Sequence, residues 1–142
     1  MIDESRSSPD NLPEECRLNH EPPAAIAKLG WRYHHIGIPT GVARARETPL
    51  EQFGLHVSGF STSPYGVEWM RFEKDSPLDE LIKTVPHVAF EVDDLDAALV
   101  GRHVIYPPGS PSEDVRAAMI EHNGAPVELI WFRRQDHTTR EA

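Results

Sequence analysis

The chain has 142 residues, 39% hydrophobic and 26% charged, which suits one domain or two small fused modules with a real core rather than a disordered polymer. Its formal net charge of -9, from 23 acidic and 14 basic residues, repels phosphate backbones and argues against nucleic acid as a partner. The single cysteine, Cys16, excludes an intrachain disulfide and a Cys-rich zinc site, so a bound metal must be held by His, Asp and Glu.

No apolar run approaches the ~18 residues of a membrane span. The N-terminal MIDESRSSPDNLPEEC lacks the basic-then-apolar order of a secretory leader, so the expectation is a cytoplasmic protein without a membrane partner. Residues 1–28 read as an acidic, Pro-rich tail, with residues 1–20 expected to be poorly ordered. Residues 134–142 read as a short polar tail. Between them, residues 29–133 form the folded domain.

Residues 33–39 (YHHIGIP) predict a strand with Ile36 and Ile38 on one face. Residues 40–54 carry Gly41, Pro49 and Gly54 and make a poor helix. Residues 55–62 and 66–73 predict strands joined by the turn SPYG, and 78–84 (LDELIKT) a further strand after the turn KDSP. The pattern then restarts. Residues 86–92 (PHVAFEV) predict a strand; Asp93 and Asp94 stand where an N-cap belongs, and LDAALV predicts a short helix stopped by Gly101. Residues 102–106 predict a strand ended by Pro107, Pro108 and Gly109, and residues 115–121 and 126–132 two strands around the turn HNGA.

The restart reads as an internal repeat. VEWMRFEKDSPLDELI (67–82) lies over VRAAMIEHNGAPVELI (115–130) without a gap at an offset of 48, matching Glu80 with Glu128. HHIGIPT lies over PHVAFEV at an offset of 52, matching His35 with His87. Each half thus supplies one His early in its first strand and one Glu in its last. Strand alternation puts His35 with Gly37 and His87 with Ala89, opposite the apolar faces, which suits the lining of a cavity. An unpaired carboxylate among the apolar neighbours of Glu128 is costly, which favours a partner for it.

HHIGIPT, PHVAFEVDDLDAAL and GAPVELIWF resemble the vicinal oxygen chelate superfamily, which includes glyoxalase I, methylmalonyl-CoA epimerase, extradiol dioxygenases and bleomycin-resistance proteins. The similarity spans residues 31–133. It implies an α+β fold of two βαβββ modules, 31–84 and 86–132, pairing into a curved mixed sheet around a metal cavity. The helix of the first module is degenerate here. It implies His35, Glu80, His87 and Glu128 as metal ligands, a divalent ion such as Ni, Co, Zn, Mn or Fe, and a homodimer. It also implies a small substrate chelated through two neighbouring oxygens, with Glu128 or Glu80 as the base of a glyoxalase-type lyase, isomerase or epimerase working through an enediolate or enolate.

Two other readings compete. One is an Fe(II) extradiol-type dioxygenase using two His and one Glu, with Glu80 off the metal. The other is a metal-free protein that binds or sequesters a small molecule. Trp69, Arg71 and Phe60 are candidates for substrate contact, with Tyr65 beside a loop able to close over a ligand. His34 is expected to point to the opposite face from His35, and His56, His103, His122 and His137 to lie on the surface. Glu73, which shares a face with Trp69 and Arg71, is the rival to Glu80.

Overall fold

The computed structural model describes residues 9–10 and 21–133. The expectations for the rest of segment 1–20 and for 134–142, with Cys16 and His137, lie outside the described residues. The elements run α1 (Ala24–Ala27), β1 (Arg32–Pro39), β2 (Thr48–Leu50), a 3-10 turn (Glu51–Phe53), β3 (Leu55–Ser58), a second 3-10 turn (Phe60–Thr62) and β4 (Val67–Phe72). There follow α2 (Glu80–Thr84), β5 (His87–Glu91), α3 (Leu95–Leu99), β6 (His103–Ser112), β7 (Val115–His122) and β8 (Ala125–Phe132).

The eight strands form one curled mixed sheet in the order β2-β3-β4-β1-β5-β8-β7-β6. The order is a palindrome of modules. β1 pairs with β4 in parallel, β5 pairs with β8 in parallel, and β1 and β5 meet antiparallel at the seam. Each half is therefore a first strand flanked by its own last strand, with a hairpin outside. This is the expected α+β fold, a curved sheet around a cavity.

Three expected elements are corrected. Residues 78–84 are not a strand. Leu78 and Ile82 join one buried cluster from before and within the helix, and Asp79 caps the helix by accepting from the Leu81 N–H at 2.8 Å. The first module instead gains its missing strand at β2, whose three residues include Pro49. β6 does not stop at Pro107 but continues to Ser112 through three register shifts. β2 and β6 lie at the sheet edges, where the missing N–H of a proline breaks no ladder.

α3 forms where expected. Asp94 accepts from the Ala97 N–H at 3.1 Å, and Gly101 ends the turn with φ +76°. The helix buries Leu95 and Ala98 against Val92, Ile120 and Leu129 on the outer face of the second module. The first module has no helix there: the chain from 40 to 47 is a loop. On the inner face a second cluster joins Leu55 and Met70 of one module, Met119 of the other, and Leu78 and Ile82 around α2. The inner surface between these walls is the cavity.

Candidate metal centre

His35 stands on β1 and His87 on β5, 6% and 2% exposed, on the two strands that meet at the seam. Glu128 stands on β8, directly beside β5, where its register partner is Ala89. Together the three present ligand atoms within 4.8 Å of one another. The Oε1 of Glu128 lies 3.0 Å from His87 Nε2 and 3.3 Å from His35 Nε2, and the two Nε2 atoms are 3.4 Å apart.

Glu80 is not among them. It opens α2 with its side chain 79% exposed and faces Lys83 at 3.7 Å. The matching position is Glu68 on β4. Its register partner on β1 is Gly37, just as Glu128 partners Ala89 on β5. The Oε1 of Glu68 lies 3.5 Å from His35 Nε2 and lines the same cavity. The gapless overlay of 67–82 on 115–130 is thus a false register: it matches β4 with β7, whereas β4 and β8 occupy equivalent places. The match of His35 with His87 agrees with the sheet.

Gly37 explains how the second imidazole is seated. It opposes His87 across β1 and β5, and a Cβ there would stand 2.2 Å from His87 Cε1 and 2.7 Å from Met70 Sδ. The ring occupies the space a side chain would fill. His87 Nδ1 is buried without a hydrogen-bond partner among the described residues, so this ring is oriented by packing and by the contact of its Nε2 with Glu128. His35 is oriented differently. A register shift in β1 between Tyr33 and His35 brings His34 alongside rather than behind, and the two Nδ1 atoms are 2.8 Å apart. The expectation that His34 faces away fails at this irregularity. The His34 ring stacks on Phe60 at 5.1 Å and packs against Phe132.

The electrostatics follow from this packing. Burial raises the Glu128 carboxyl, but the hydrogen bonds and positive potential of His35 and His87 outweigh it and bring its pKa down to about 2. Burial lowers His35, and Glu128 and Glu68 more than reverse that, leaving it above the ordinary imidazole value. Burial dominates at Glu68, whose carboxyl stands above its ordinary range. Burial and the neighbouring His35 hold His34 below its ordinary value.

These residues fit a divalent ion. Nitrogen and oxygen donors lie at about 2.1 Å from such ions, so adjacent donors are about 3.0 Å apart on an octahedron and about 3.4 Å on a tetrahedron. The three separations among His35, His87 and Glu128, 3.0, 3.3 and 3.4 Å, are of that size. Imidazole with carboxylate suits Zn, Ni, Co, Mn or Fe.

The other candidates fall elsewhere. Trp69 and Arg71 alternate with Glu68 and Met70 along β4 and so point away from the cavity. Arg44 covers the Trp69 ring at 5.0 Å, and Arg71 forks onto both carboxylate oxygens of Glu47 at 2.8 and 2.7 Å. Phe60 touches the rim of the centre, its ring 5.8 Å from that of His35. Tyr65 is 77% exposed. Glu73 pairs with His56, away from the centre.

No family model matches the chain, and no curated protein matches it. Among solved structures it is similar to hypothetical protein BH1468 from Bacillus halodurans C-125, with TM-score 0.56 and 15% identity over 75% of this chain and 98% of that one. It is also similar to methylmalonyl-CoA epimerase from Mycobacterium tuberculosis, with TM-score 0.48 and 18% identity over 78% of this chain and 92% of that one. At these identities the first likeness establishes the fold alone.

Proposed function

We propose that this chain is a divergent vicinal oxygen chelate protein and a metal-dependent lyase or isomerase. The convergence of His35, His87 and Glu128 carries this reading: three donors from the two modules meet at the end of one cavity, with Glu68 beside them 3.5 Å from His35. His35 and His87 act as neutral nitrogen donors and Glu128 as the anionic one. A divalent ion held there supplies polarisation of two neighbouring substrate oxygens and lowers the cost of an enediolate or enolate.

The residues themselves divide the remaining work. Glu128 faces both imidazoles and is a poor base. Glu68 meets the cluster through a 3.5 Å contact with His35 and has a higher proton affinity, so it replaces Glu80 as the base. It takes a proton from the carbon beside a carbonyl and returns it to the other face of that carbon or to its neighbour. The inner wall of Met70, Met119 and Leu55 keeps water from that carbon.

A specific observation favours a second reading. The tightest group is two His and one Glu, the ligand set of non-haem Fe(II) oxygenases. Metal analysis of the full chain after metal-replete expression tests both readings. About one divalent ion per chain is expected, lost in His87→Ala and in Glu128→Ala. A native protein without an ion would remove both. Oxygen-dependent turnover of a catechol by a Glu68→Gln protein that keeps its ion would select the second over the first.

A further inference from the structure

The cavity extends from the metal centre along the inner face, with a volume of ≈ 120 Å³. That is room for about one ring with small substituents, since an apolar cavity of about 150 Å³ holds benzene. Apart from Glu68, His87, Glu128 and the Tyr106 hydroxyl, its described lining is aliphatic, aromatic, thioether or glycine. None of the described lining residues is Lys or Arg.

The apolar groups are arranged in relation to the donors. Met70 follows Glu68 by two residues on the same face of β4, and Met119 is the register partner of Glu128 across β7 and β8. A thioether therefore flanks each carboxylate, one from each module. Beyond them Phe53 and Tyr106, again from opposite modules, meet edge to face with ring centroids 5.7 Å apart. Thioether sulfur adapts to irregular shapes and makes favourable contacts at aromatic ring edges. With no Lys or Arg along this lining, an anionic substrate group held beyond the donors is costly inside this volume.

We infer that the cavity selects an uncharged, aryl-bearing substrate with two vicinal oxygens, and rejects one whose body carries a carboxylate or phosphate into the pocket. This rests on the preceding reading that an ion lies among His35, His87 and Glu128. The chelating oxygens face the donors, and the aryl body lies between Met70 and Met119. A hydroxyketone R–CO–CH(OH)–R′ fits the proposed chemistry without a co-reactant. The proton leaves the carbinol carbon to Glu68 and returns to the former carbonyl carbon, while the hydroxyl proton moves to the other oxygen. The C–O double bond exchanges places with the C–H bond, giving R–CH(OH)–CO–R′.

Two probes with the same chelating head isolate the selectivity: 4-methylcatechol, with an uncharged arm, and 3,4-dihydroxybenzoate, with a carboxylate. Zinc(II) is first titrated into the full chain alone, and the zinc-loaded protein is then titrated with each probe by calorimetry. The uncharged probe is expected to bind at least about tenfold more tightly, because only the other must bury a charge without a partner. In Val57→Lys, which places a cation on the cavity wall, that ratio should fall to about threefold or less. Zinc uptake with equal or tighter binding of 3,4-dihydroxybenzoate overturns this inference and leaves the metal centre standing. Absence of zinc uptake overturns the metal centre and this inference with it. Should Val57→Lys not fold, the probe pair on the unaltered chain decides alone.

Discussion

Replacing Gly37 by alanine adds one methyl group at the point where the two modules touch. Its Cβ would lie 2.2 Å from His87 Cε1, 2.7 Å from Met70 Sδ and 2.8 Å from His87 Nδ1. Ordinary carbon contacts are about 3.5–4.0 Å, so the ring must retreat by more than about 1 Å. His87 is 2% exposed, which makes this an overpacking substitution costing about 1–3 kcal/mol. For a domain of this size that lowers Tm by about 3–9 °C. The effect on the metal should be larger in proportion. A donor displaced by about 1 Å leaves bonding range, so zinc affinity is expected to fall by about 100-fold or more. Ala89→Gly is the paired control, because Ala89 opposes His35 as Gly37 opposes His87. It removes a buried methyl group at a cost of about 1 kcal/mol. It moves no donor, so zinc affinity should stay within about threefold of the unaltered chain. Thermal melts and zinc calorimetry on both variants check the argument. A Gly37→Ala protein that binds zinc as tightly as the unaltered chain refutes it.

Glu68→Gln should weaken zinc binding by about tenfold or more, whereas Glu80→Gln should leave it unchanged; the reverse order in the same titration would restore the ligand expected from the repeat. His34→Phe removes the acceptor 2.8 Å from His35 Nδ1, which must carry a proton when Nε2 faces an ion, and a loss of about 10–100-fold in zinc affinity is expected. Unchanged affinity would show that the Nδ1 contact does not orient the ligand. Glu47 titrates at about 2, held down chiefly by its hydrogen bonds from Arg71, so its stabilising effect is present above the ordinary carboxyl range and is lost as pH falls towards 2. Glu47→Gln should therefore melt below the unaltered chain at pH 6, with the gap closing between about pH 4.5 and 2; a gap constant across that window contradicts the ion pair.

How much of this was legible in the sequence depends on the period each element displays. PHVAFEV alternates over a whole strand and is followed by an N-cap and a helix stop, so β5 and α3 fall where expected. β2 has three residues and a proline, too few to show any period. Without it the first module shows too few strands, and LDELIKT reads as a further one. The signal against that reading is local: Asp79 as a cap for Glu80 onward. His34 was misplaced because strict alternation assumes an unbroken ladder, and the register shift in β1 breaks it.

Glu68 shows why identity in a repeat is weaker than topology. The overlay of 67–82 on 115–130 matched Val67, Glu73 and Glu80-Leu81-Ile82 with residues of the same type, yet it compared a last strand with a hairpin strand. What makes two carboxylates equivalent here is the parallel neighbour of a His-bearing strand. Each lies beside the residue two positions past its His, Glu68 beside Gly37 and Glu128 beside Ala89. That relation joins residues 31 and 39 positions apart, and no local pattern encodes it. It becomes readable once four strands are counted in each module, because the last must then pair with the first. Under that count VEWMRF is the only strand of the first module that can serve, and strand alternation presents Glu68 to the cavity between Val67 and Trp69 on the opposite face.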